Sequence, residues 1–317
     1  MSSELFENKK IAVLLPCYNE SVTIKKVVED FKTALPEATV YVYDNNSSDH
    51  TDEIARNAGA CVVYEYRQGK GNVIRSMFRD IDADCYVMAD GDDTYPADNA
   101  RELCEAVLSG KADMAIGDRL SSTYFTENKR PFHNFGNRLV RLLVNKLFKC
   151  NVSDIMTGYR AFSYDFVKGF PVLSGGFEIE TEMTIHAVDK NYKLVEIPVG
   201  YRDRPEGSFS KLNTVSDGIK VLKTVATLFR RYKPNTYYTI ISGIFVLAGV
   251  GCYIAPVIEY FKNGTVEHKA LFALGCLFIL SATAFKICGS ILRVITHNTK
   301  QQYELTMNLL KKDKDNK

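Results

Sequence analysis

The sequence predicts an α/β domain with a mostly parallel sheet, followed by two helices long enough to cross a membrane. Strand and helix signals alternate from Ile11 to about Arg119, the acidic segment Asp90–Asp92 follows directly on an apolar run, and two long stretches near the C-terminus carry almost no charge. Such alternation is typical of parallel sheets with right-handed crossovers. A length of 317 residues fits about two domains, or one domain with appendages.

Each predicted strand is a short apolar run that ends in a polar loop, and each predicted helix follows such a loop. Ser21 is the expected N-cap of the first helix, and Gly59 ends the second. The predicted strands are Ile11–Leu15, Val40–Tyr43, Cys61–Tyr64, Cys85–Ala89 and Asp113–Gly117. The predicted helices run from Ser21 to about Ala34, from about Thr51 to Asn57 and from Gly69 towards Asp80.

Composition excludes several classes of protein. Hydrophobic residues make up 46% of the chain, enough for a large core, and a net charge of +2 gives no basic field that would favour nucleic acid. The eight cysteines are scattered without a C-x-x-C pair, which argues against zinc or disulfide frameworks and for a reducing compartment. The polar N-terminus has no apolar signal segment. We therefore expect the catalytic part to lie in the cytoplasm.

The acidic segment after the fourth predicted strand is the strongest local signal. Ligand sites of open α/β sheets lie beyond the carboxyl ends of strands. Residues two apart on a strand point the same way, so Asp90 and Asp92 are expected to converge on one hard cation. Mg²⁺ or Mn²⁺ prefers such oxygen ligands and commonly bridges to a diphosphate. The alternative is an acidic turn without a ligand, since Asp and Gly favour turns.

Two common phosphate-binding patterns, the P-loop and the dinucleotide glycine motif, are absent from the sequence. A nucleotide would therefore be held by strand-end loops and a metal. The segment Gly69–Gly71 can place backbone amides or the Lys70 ammonium near an anion at a helix start, although a plain loop is the alternative.

The C-terminal third predicts a membrane hairpin. Tyr237–Ile258 has no charged residue, and Ala270–Leu292 is interrupted only by Lys286. As a helix, the first run would span ~33 Å, against ~30 Å of bilayer hydrocarbon. Lysines and arginines flank both outer ends, so the positive-inside rule places both termini in the cytoplasm. Buried core helices of a soluble protein are the alternative.

Two further features accompany the hairpin. Lys286 is expected to snorkel to the headgroups, with a helix partner or a lipid phosphate as alternatives. Val215–Tyr232 has apolar and basic residues at helical spacing, which fits a helix lying on an anionic leaflet, with packing on the soluble domain as the alternative. The predicted boundaries are 1–212 for the α/β domain, 213–235 for this helix, 236–296 for the hairpin and 297–317 for a charged cytosolic tail.

Several motifs occur together in a fixed order. They are Pro16–Glu20, Asp44–Asp49, Gly69–Gly71, Asp90–Asp92, Gly117–Arg119, Asp154–Arg160 and Tyr201–Leu212. In this order the chain resembles the family-2 glycosyltransferases of GT-A fold, and within them the polyprenyl-phosphate sugar synthases. The resemblance covers about Lys10 to Leu212, and members with a C-terminal hairpin continue through the spans.

The resemblance implies roles for individual residues. The nucleotide sugar would contact Pro16, Tyr18, Asn19, Glu20, Asp44, Asn46, Lys70, Gly71, Asp90, Gly91, Asp92, Asp154, Arg160, Glu178 and Glu180. The lipid phosphate would contact Arg119, Arg138, Arg202, Arg204, Ser210 and Lys211. Asp92, Arg119, Arg202 and Lys211 would be catalytic, and Asp90 and Asp92 would hold Mg²⁺ or Mn²⁺. Asp93-Thr94 departs from members with Gln or Glu there, which leaves the third protein ligand unassigned. For Glu178–Glu182, a solvated helix start is the alternative.

The implied reaction is inverting transfer of a hexose from a nucleotide sugar to undecaprenyl phosphate at the cell membrane, for cell-envelope glycosylation. UDP-glucose or UDP-N-acetylglucosamine is the expected donor, and GDP-mannose stays open. A phosphomonoester is largely dianionic at neutral pH and needs no general base. Catalysis would then consist of positioning and neutralisation of the leaving diphosphate. A two-helix hairpin offers limited packing, which favours a homo-oligomer.

Two alternatives belong to other classes. A family-2 transferase that acts on a sugar hydroxyl would need a base, which Asp154 or Glu180 would supply. Processive members of that kind carry Q-x-x-R-W, and this chain has no tryptophan. A non-catalytic membrane scaffold that retains a nucleotide-sugar site is the second alternative.

Overall fold

The structure is a computed structural model that describes residues 2–121, 131–176, 178–205 and 214–315. The chain forms two compact units, Met1–Val225 and Ala226–Lys317. The first contains the sheet and the second contains the long apolar helices.

The first unit is built on one seven-stranded sheet in the order β3-β2-β1-β4-β6-β5-β7. All neighbouring strands are parallel except β6, which runs antiparallel to both β4 and β5. The strands are β1 (Ile11–Cys17), β2 (Ala38–Asp44), β3 (Cys61–Tyr64), β4 (Cys85–Met88), β5 (Met114–Asp118), β6 (Arg160–Ser163) and β7 (Leu194–Pro198). The mostly parallel sheet is confirmed, and the sequence pattern had given no sign of β6 or β7.

Helices surround this sheet. They are α1 (Ser2–Phe6), α2 (Ile24–Ala34), α3 (Thr51–Asn57), α4 (Lys70–Asp80), α5 (Ala100–Leu108), α6 (Pro131–Phe148), α7 (Tyr164–Gly169) and α8 (Ile179–Asp189). Every residue of β4 is buried, as expected for a central strand covered by helices on both faces. The core therefore lies on both sides of β1 and β4, and the polar loops at their carboxyl ends are left to form a site.

The first helix begins later than its sequence predicts. Ser21 was the expected N-cap, but α2 begins at Ile24 and its N-cap residue Thr23 makes no side-chain cap hydrogen bond. The backbone amide of Ser21 instead donates to Oδ2 of Asp49 at 3.0 Å. The loop after β1 is thus fastened to the loop after β2 before the helix starts.

Helix α8 is buried on every side. Glu180, Glu182 and His186 all lie in its buried stretch, together with the apolar residues between them. The alternative of a solvated acidic helix start is therefore wrong for Glu180 and Glu182.

The C-terminal helices are α9 (Thr214–Tyr232), α10 (Pro234–Asn263) and α11 (Lys269–Asp315). The boundary between the two units falls within α9. By length and composition, α10 and the part of α11 from residue 269 to 312 could each cross a membrane, since each contains an 18-residue stretch with a mean hydropathy of 2.1. Because α11 continues to Asp315, the described part of the predicted tail is helical.

Small residues and polar contacts join α10 to α11. A Cβ at Gly249 would lie 2.9 Å from Cδ1 of Ile279, so the helices approach closely there. The ammonium of Lys286 donates to Oγ1 of Thr239 at 3.0 Å. Lys286 therefore contacts a helix partner, whereas we had expected it to snorkel.

The described side chains of α9 show one buried stripe. Val225, Leu228 and Phe229 are buried within the protein, while Lys223 and Arg230 are exposed. Within the second unit, the ring of Phe229 packs against that of Tyr237 on α10 at 5.9 Å between centroids. Whether this helix lies on a leaflet or packs on the soluble domain stays a prediction.

Candidate functional site

The loops after β1, β2 and β4 meet at one edge of the sheet. β1 pairs with β2 on one side and with β4 on the other, and all three run parallel. Their carboxyl ends therefore lie side by side, and the polar segments that follow them form one continuous crevice.

Asn19 joins the loop after β1 to the loop after β2, and Asp44 closes the second loop on itself. The amide of Asn19 donates to Oγ of Ser47 at 2.9 Å, and its side-chain oxygen accepts from the amide of Ser48 at 2.8 Å. Oδ1 of Asp44 accepts from the amide of Ser47, while its buried Oδ2 has no hydrogen-bond partner among the described residues. An unpaired buried carboxylate oxygen fits an N–H donor of a nucleotide base.

Three other predicted nucleotide contacts lie at this end of the crevice. Pro16 is inside β1 opposite Tyr43, Tyr18 is 39% exposed, and the backbone amide of Glu20 donates to Oγ1 of Thr51 at 2.8 Å. The strand that carries Pro16 thus ends beside Asp44, with Cys17 opposite it, and the contacts of these residues with a nucleotide stay predictions.

The side-chain amide group of Asn46 is not directed into this crevice. Its Nδ2 donates to the carbonyl of Tyr66 at 2.8 Å, and the residue is exposed. The buried neighbour Asn45 has the larger role, since it donates to the carbonyls of Glu65 and Arg67 and accepts from the amide of Gly69 at 2.7 Å. Asn45 therefore fixes the loop that leads into α4.

The glycines of that loop serve close packing. A Cβ at Gly71 would lie 2.1 Å from the carbonyl oxygen of Ser174, and the amide of Gly71 donates to the carbonyl of Gly175 at 3.2 Å. Gly69 has φ +128°, which side-chain-bearing residues rarely adopt. The amide of Gly71 is thus bonded within the protein, and the contact of Gly71 with the nucleotide sugar stays a prediction.

Lys70 bridges two carboxylates. Its ammonium lies 2.5 Å from Oδ1 of Asp90 and 2.6 Å from Oε1 of Glu180, and the side chain is only 10% exposed. Burial alone would lower the pKa of Lys70, but the two carboxylates raise it. A permanent cation is therefore enclosed between the acidic turn and α8, where the sequence suggested a direct contact with an anion.

Asp90 and Asp92 lie close enough for the charge of one to act on the other, but strand alternation is not what brings them together. β4 ends at Met88, so both aspartates lie in the turn beyond it and strand alternation does not orient them. A Cβ at Gly91 would lie 2.6 Å from Sγ of Cys17, and one at Gly158 would lie 2.8 Å from Oδ2 of Asp90. The backbone of the turn is therefore closely packed, and the carboxylates are oriented by their partners, Lys70 for Asp90 and Thr94 for Asp92.

The two aspartates differ in electrostatics. Burial raises the pKa of both, but the charge of Lys70, with Arg204 and Arg119, brings the pKa of Asp90 below its ordinary value. Burial and the negative charge of Asp90 keep the pKa of Asp92 raised, although Arg204 and Thr94 act against them. Asp92 is therefore the carboxylate that gains more from an added positive charge.

Arginines line the other side of the acidic turn. Nε of Arg119 lies 2.8 Å from Oδ2 of Asp154, and its Nη1 donates to the hydroxyl of Tyr95 at 3.3 Å. Arg204 forms an ion pair with Oδ2 of Asp92, and Nη1 of Arg202 lies 3.9 Å from Asp93. The structure thus assembles three of the predicted phosphate-binding residues around the aspartates.

The remaining predicted phosphate contacts are not joined to this group. Arg138 is exposed on α6 and makes no contact with the cluster among the described side chains. Ser210 and Lys211 lie outside the described residues.

Arg160 and Glu178 lie differently from expectation. Arg160 is fully buried and donates to the carbonyls of Thr157 and Ile155 and to the hydroxyl of Thr184, so it supports the loop before β6 and does not line a pocket. Burial lowers its pKa to about 10. Glu178 is half-buried beside Gly176, whereas Glu180 is buried, and its Oε2 lacks a hydrogen-bond partner among the described residues.

The oxygen donors of the acidic turn are of the kind that bind a divalent cation. Asp90 and Asp92 are two hard oxygen ligands that each already carry a positive partner, which indicates a place where positive charge is stabilised. Among the described residues no group of three or more His, Cys, Asp or Glu side chains forms a closed metal cage. Mg²⁺ commonly binds through one or two carboxylates and completes its shell with phosphates and water.

Two residues of the site were missed at the sequence level. The hydroxyl of Tyr95 accepts from Arg119 and from the amide of Gly158, and Oε1 of Glu196 accepts from the amides of Ser153 and Asp154. Tyr95 follows the acidic turn closely in the chain, which was a usable signal. Glu196 lies in β7, and nothing in its local pattern marks it.

Comparisons with known proteins agree with this architecture. The Glycosyl transferase family 2 profile matches residues 12–170. Glycosyltransferase AglJ of Haloferax volcanii is 30% identical over 283 residues, which cover 88% of this chain and 91% of that protein. The dolichyl-phosphate hexose transferase of the same organism is 27% identical over 215 residues, which cover 68% of this chain and 92% of that protein.

A solved structure shows the same fold. Glucosyl-3-phosphoglycerate synthase from Mycobacterium tuberculosis, in complex with Mn²⁺, uridine diphosphate and phosphoglyceric acid, superposes with a TM-score of 0.60 at 22% identity. The match covers 73% of this chain and 82% of that chain. With its GT-A sheet, its acidic turn and the match of the family profile, this chain belongs to glycosyl transferase family 2 and is a glycosyltransferase.

Proposed function

We propose that this glycosyltransferase moves a hexose from a nucleotide sugar to the phosphate of a polyprenyl lipid, with undecaprenyl phosphate as the acceptor and inversion at the anomeric carbon. UDP-glucose or UDP-N-acetylglucosamine is the favoured donor. The product is a phosphate-linked lipid sugar for cell-envelope glycosylation.

This proposal rests on one observation: the carboxylates that could act as a base are already paired with cations of the protein. A hydroxyl acceptor needs a base, and the two candidates from sequence were Asp154 and Glu180. Asp154 is 1% exposed and paired with Arg119, while Glu180 is paired with Lys70. A proton on Asp154 would take away the carboxylate that Arg119 pairs with inside the protein, and breaking such a buried pair costs about 3–5 kcal/mol. A proton on Glu180 would remove one of the two carboxylates that hold the buried ammonium of Lys70. A phosphate acceptor avoids this cost because it is ionised already.

The cations at the acidic turn suit two phosphate-bearing substrates. Arg202 and Arg204 contact Asp93 and Asp92, and the charge of Arg119 acts on Asp90, so these arginines can neutralise charge on the leaving diphosphate and on the attacking phosphate. We retain Lys211 and Ser210 as proposed lipid-phosphate contacts from their sequence motif.

We further propose that Asp90 and Asp92 hold a divalent cation, Mg²⁺ or Mn²⁺. When bound, it would neutralise the diphosphate as it departs. The buried Oδ2 of Asp44 would accept from the nucleotide base, and the buried Oε2 of Glu180 would accept from a hydroxyl of the sugar.

The lipid acceptor is supported by the second unit and by a relative. Both α10 and α11 are long and apolar enough to cross a membrane, and cationic residues flank their outer ends. The relative in Haloferax volcanii is named a dolichyl-phosphate hexose transferase. A membrane hairpin would keep the transferase unit at the leaflet where a polyprenyl phosphate presents its headgroup.

A donor panel with a defined lipid tests the proposal. Purified full-length protein is incubated with undecaprenyl phosphate, Mn²⁺ and labelled UDP-glucose, UDP-N-acetylglucosamine or GDP-mannose, and the organic phase is counted. We expect label in a lipid that mild acid hydrolyses, and a β-linkage by NMR.

Other results would contradict this. Label only in polymer would favour the sugar-hydroxyl alternative. Calorimetric binding of a nucleotide sugar without turnover on any acceptor would favour the scaffold.

A further inference from the structure

Asp90 and Asp92 each carry a cation of the protein, and the two cations are held differently. The side chain of Lys70 is 10% exposed and is bound between Asp90 and Glu180 at 2.5 and 2.6 Å. The side chain of Arg204 is 27% exposed and pairs with Asp92, whose own side chain is 5% exposed. Lys70 is therefore enclosed between two carboxylates, whereas Arg204 is the more exposed of the two cations.

The two oxygens of Asp92 have different partners. Oδ1 accepts from the hydroxyl of Thr94 at 2.6 Å and from its amide at 3.2 Å, which closes the turn. Oδ2 is the oxygen that Arg204 contacts. A cation that bridges the two aspartates without opening the turn must therefore take the oxygen that Arg204 occupies.

We propose that Arg204 and a divalent cation compete for Oδ2 of Asp92, so that cation binding releases the guanidinium while Lys70 stays on Asp90. This inference rests on the divalent-cation site of the proposed function. It makes Arg204 an exchangeable counter-ion of the acidic turn.

Lys70 stays in place because it is buried between two carboxylates. Its removal would leave Asp90 and Glu180 as neighbouring carboxylates without a counter-ion, and breaking a buried ion pair is strongly destabilising. Arg204 is nearly three times as exposed, so its guanidinium can be rehydrated when it leaves. Exchange therefore takes place at Asp92.

The released guanidinium remains near the turn. The amide of Arg202 donates to the carbonyl of Thr94 at 3.0 Å, which fastens this segment two residues before Arg204. Two residues span at most ~7 Å of extended chain. Arg204 would thus meet an anionic group on the bound cation or beside it, but only after the cation has arrived. The exchange imposes an order on the site, with the cation before the arginine contact.

Metal binding alone tests this exchange. Mn²⁺ affinity is measured by EPR on full-length protein in detergent, without nucleotide or lipid, at an ionic strength of about 0.15 M, where exposed charges are screened beyond ~8 Å. We expect Arg204→Gln to bind Mn²⁺ roughly three- to tenfold more tightly, in line with the loss of a partly exposed competing ion pair.

Two control variants distinguish competition for Oδ2 of Asp92 from a general electrostatic effect of positive charge on this segment. Arg202→Gln removes the same charge from the same segment but from a side chain that faces Asp93, and we expect its Mn²⁺ affinity to change by less than about twofold. Arg204→Lys keeps the competing charge and should stay near the wild type. Equal tightening in Arg202→Gln and Arg204→Gln, or weaker binding in Arg204→Gln, would overturn the exchange.

A second measurement needs no variant. Phenylglyoxal modification of Arg204 in the wild-type protein, mapped by mass spectrometry, should increase when Mn²⁺ is added. A rate unchanged by Mn²⁺, or no Mn²⁺ binding at all, would refute the exchange. The lipid-labelling assay on wild-type protein is independent of this result, so failure of the exchange and failure of the proposed transfer remain distinguishable.

Discussion

At the scale of single residues, burial determines what each charged group of the site does. Lys70 and Arg160 both looked like ligand contacts in the sequence, yet Lys70 is enclosed by Asp90 and Glu180, and Arg160 supports the loop before β6. Their charges act on the site through other residues. Asp92 is different, since its buried carboxylate contacts Arg204, whose side chain is 27% exposed.

We expect Asp92→Asn to lower transfer by about 10²–10³-fold, because it removes one of two charged oxygens that would hold the cation on the diphosphate. Asp93→Asn is the matched control. Asp93 has φ +59°, a conformation that Asn also adopts, and its carboxylate pairs with Lys26 at 2.8 Å and lies 3.9 Å from Arg202. Turnover is measured on the full chain, with circular dichroism to verify folding. Equal activity of Asp92→Asn and wild type would remove the metal assignment.

At the scale of elements, α8 shows how one helix serves both core and site. Glu180 binds Lys70, and Oε2 of Glu182 accepts from the amide of Ser174, which holds the segment against which Gly71 packs. Further along, His186 packs edge-on against Phe170 at 5.1 Å between ring centroids. The whole helix is therefore fixed, and through Glu180 it holds the ammonium of Lys70 in place.

His186 makes the fold sensitive to acid. Burial, with the charge of Lys190, lowers its pKa from 6.5 to about 3, so the folded protein keeps it neutral while the unfolded chain is protonated below pH 6.5. The free energy of unfolding then falls by up to about 1.4 kcal/mol per pH unit as pH drops from 6.5 towards 3.

We expect His186→Leu to reduce the loss of melting temperature between pH 7 and pH 5, measured on the full chain in detergent by circular dichroism. The exposed His50→Leu is the control and should keep the wild-type loss. A wild-type pH slope in His186→Leu would show that this histidine does not carry the effect.

At the scale of the whole molecule, a transferase unit and a pair of long apolar helices are joined in one chain. The boundary lies within α9, between Val225 and Ala226. Although α10 and α11 are joined by polar contacts such as Lys286 to Thr239, most of their surface is exposed and apolar. Such a surface is stable in a bilayer and not in water, which supports the hairpin.

The hairpin predicts where each segment lies. With the chain expressed in a bacterial host, green fluorescent protein fused to the C-terminus should fluoresce, and alkaline phosphatase inserted after Thr265 should be active, because only the connection between α10 and α11 would face outwards. Phosphatase activity at the C-terminus would contradict the predicted topology.

The sequence was sufficient for the features that local pattern encodes. The apolar runs predicted β1 to β5, the bounds of α3 and β3 agree with the structure, and the uncharged runs marked both long helices. Period and length carry this information, because they follow from helix and strand geometry. The acidic turn was also found, since its residue types are unusual after a buried strand.

Only the tertiary structure decided which charged groups are partners. Lys70 and Glu180, Arg119 and Asp154, and Arg204 and Asp92 are each distant in the chain, and their pairing depends on how β4, β6 and α8 are packed. The antiparallel β6 brings Gly158 beside Asp90, which no local signal predicts. Sequence determines where charged side chains occur along an element, whereas burial and long-range packing determine which opposite charge each one meets.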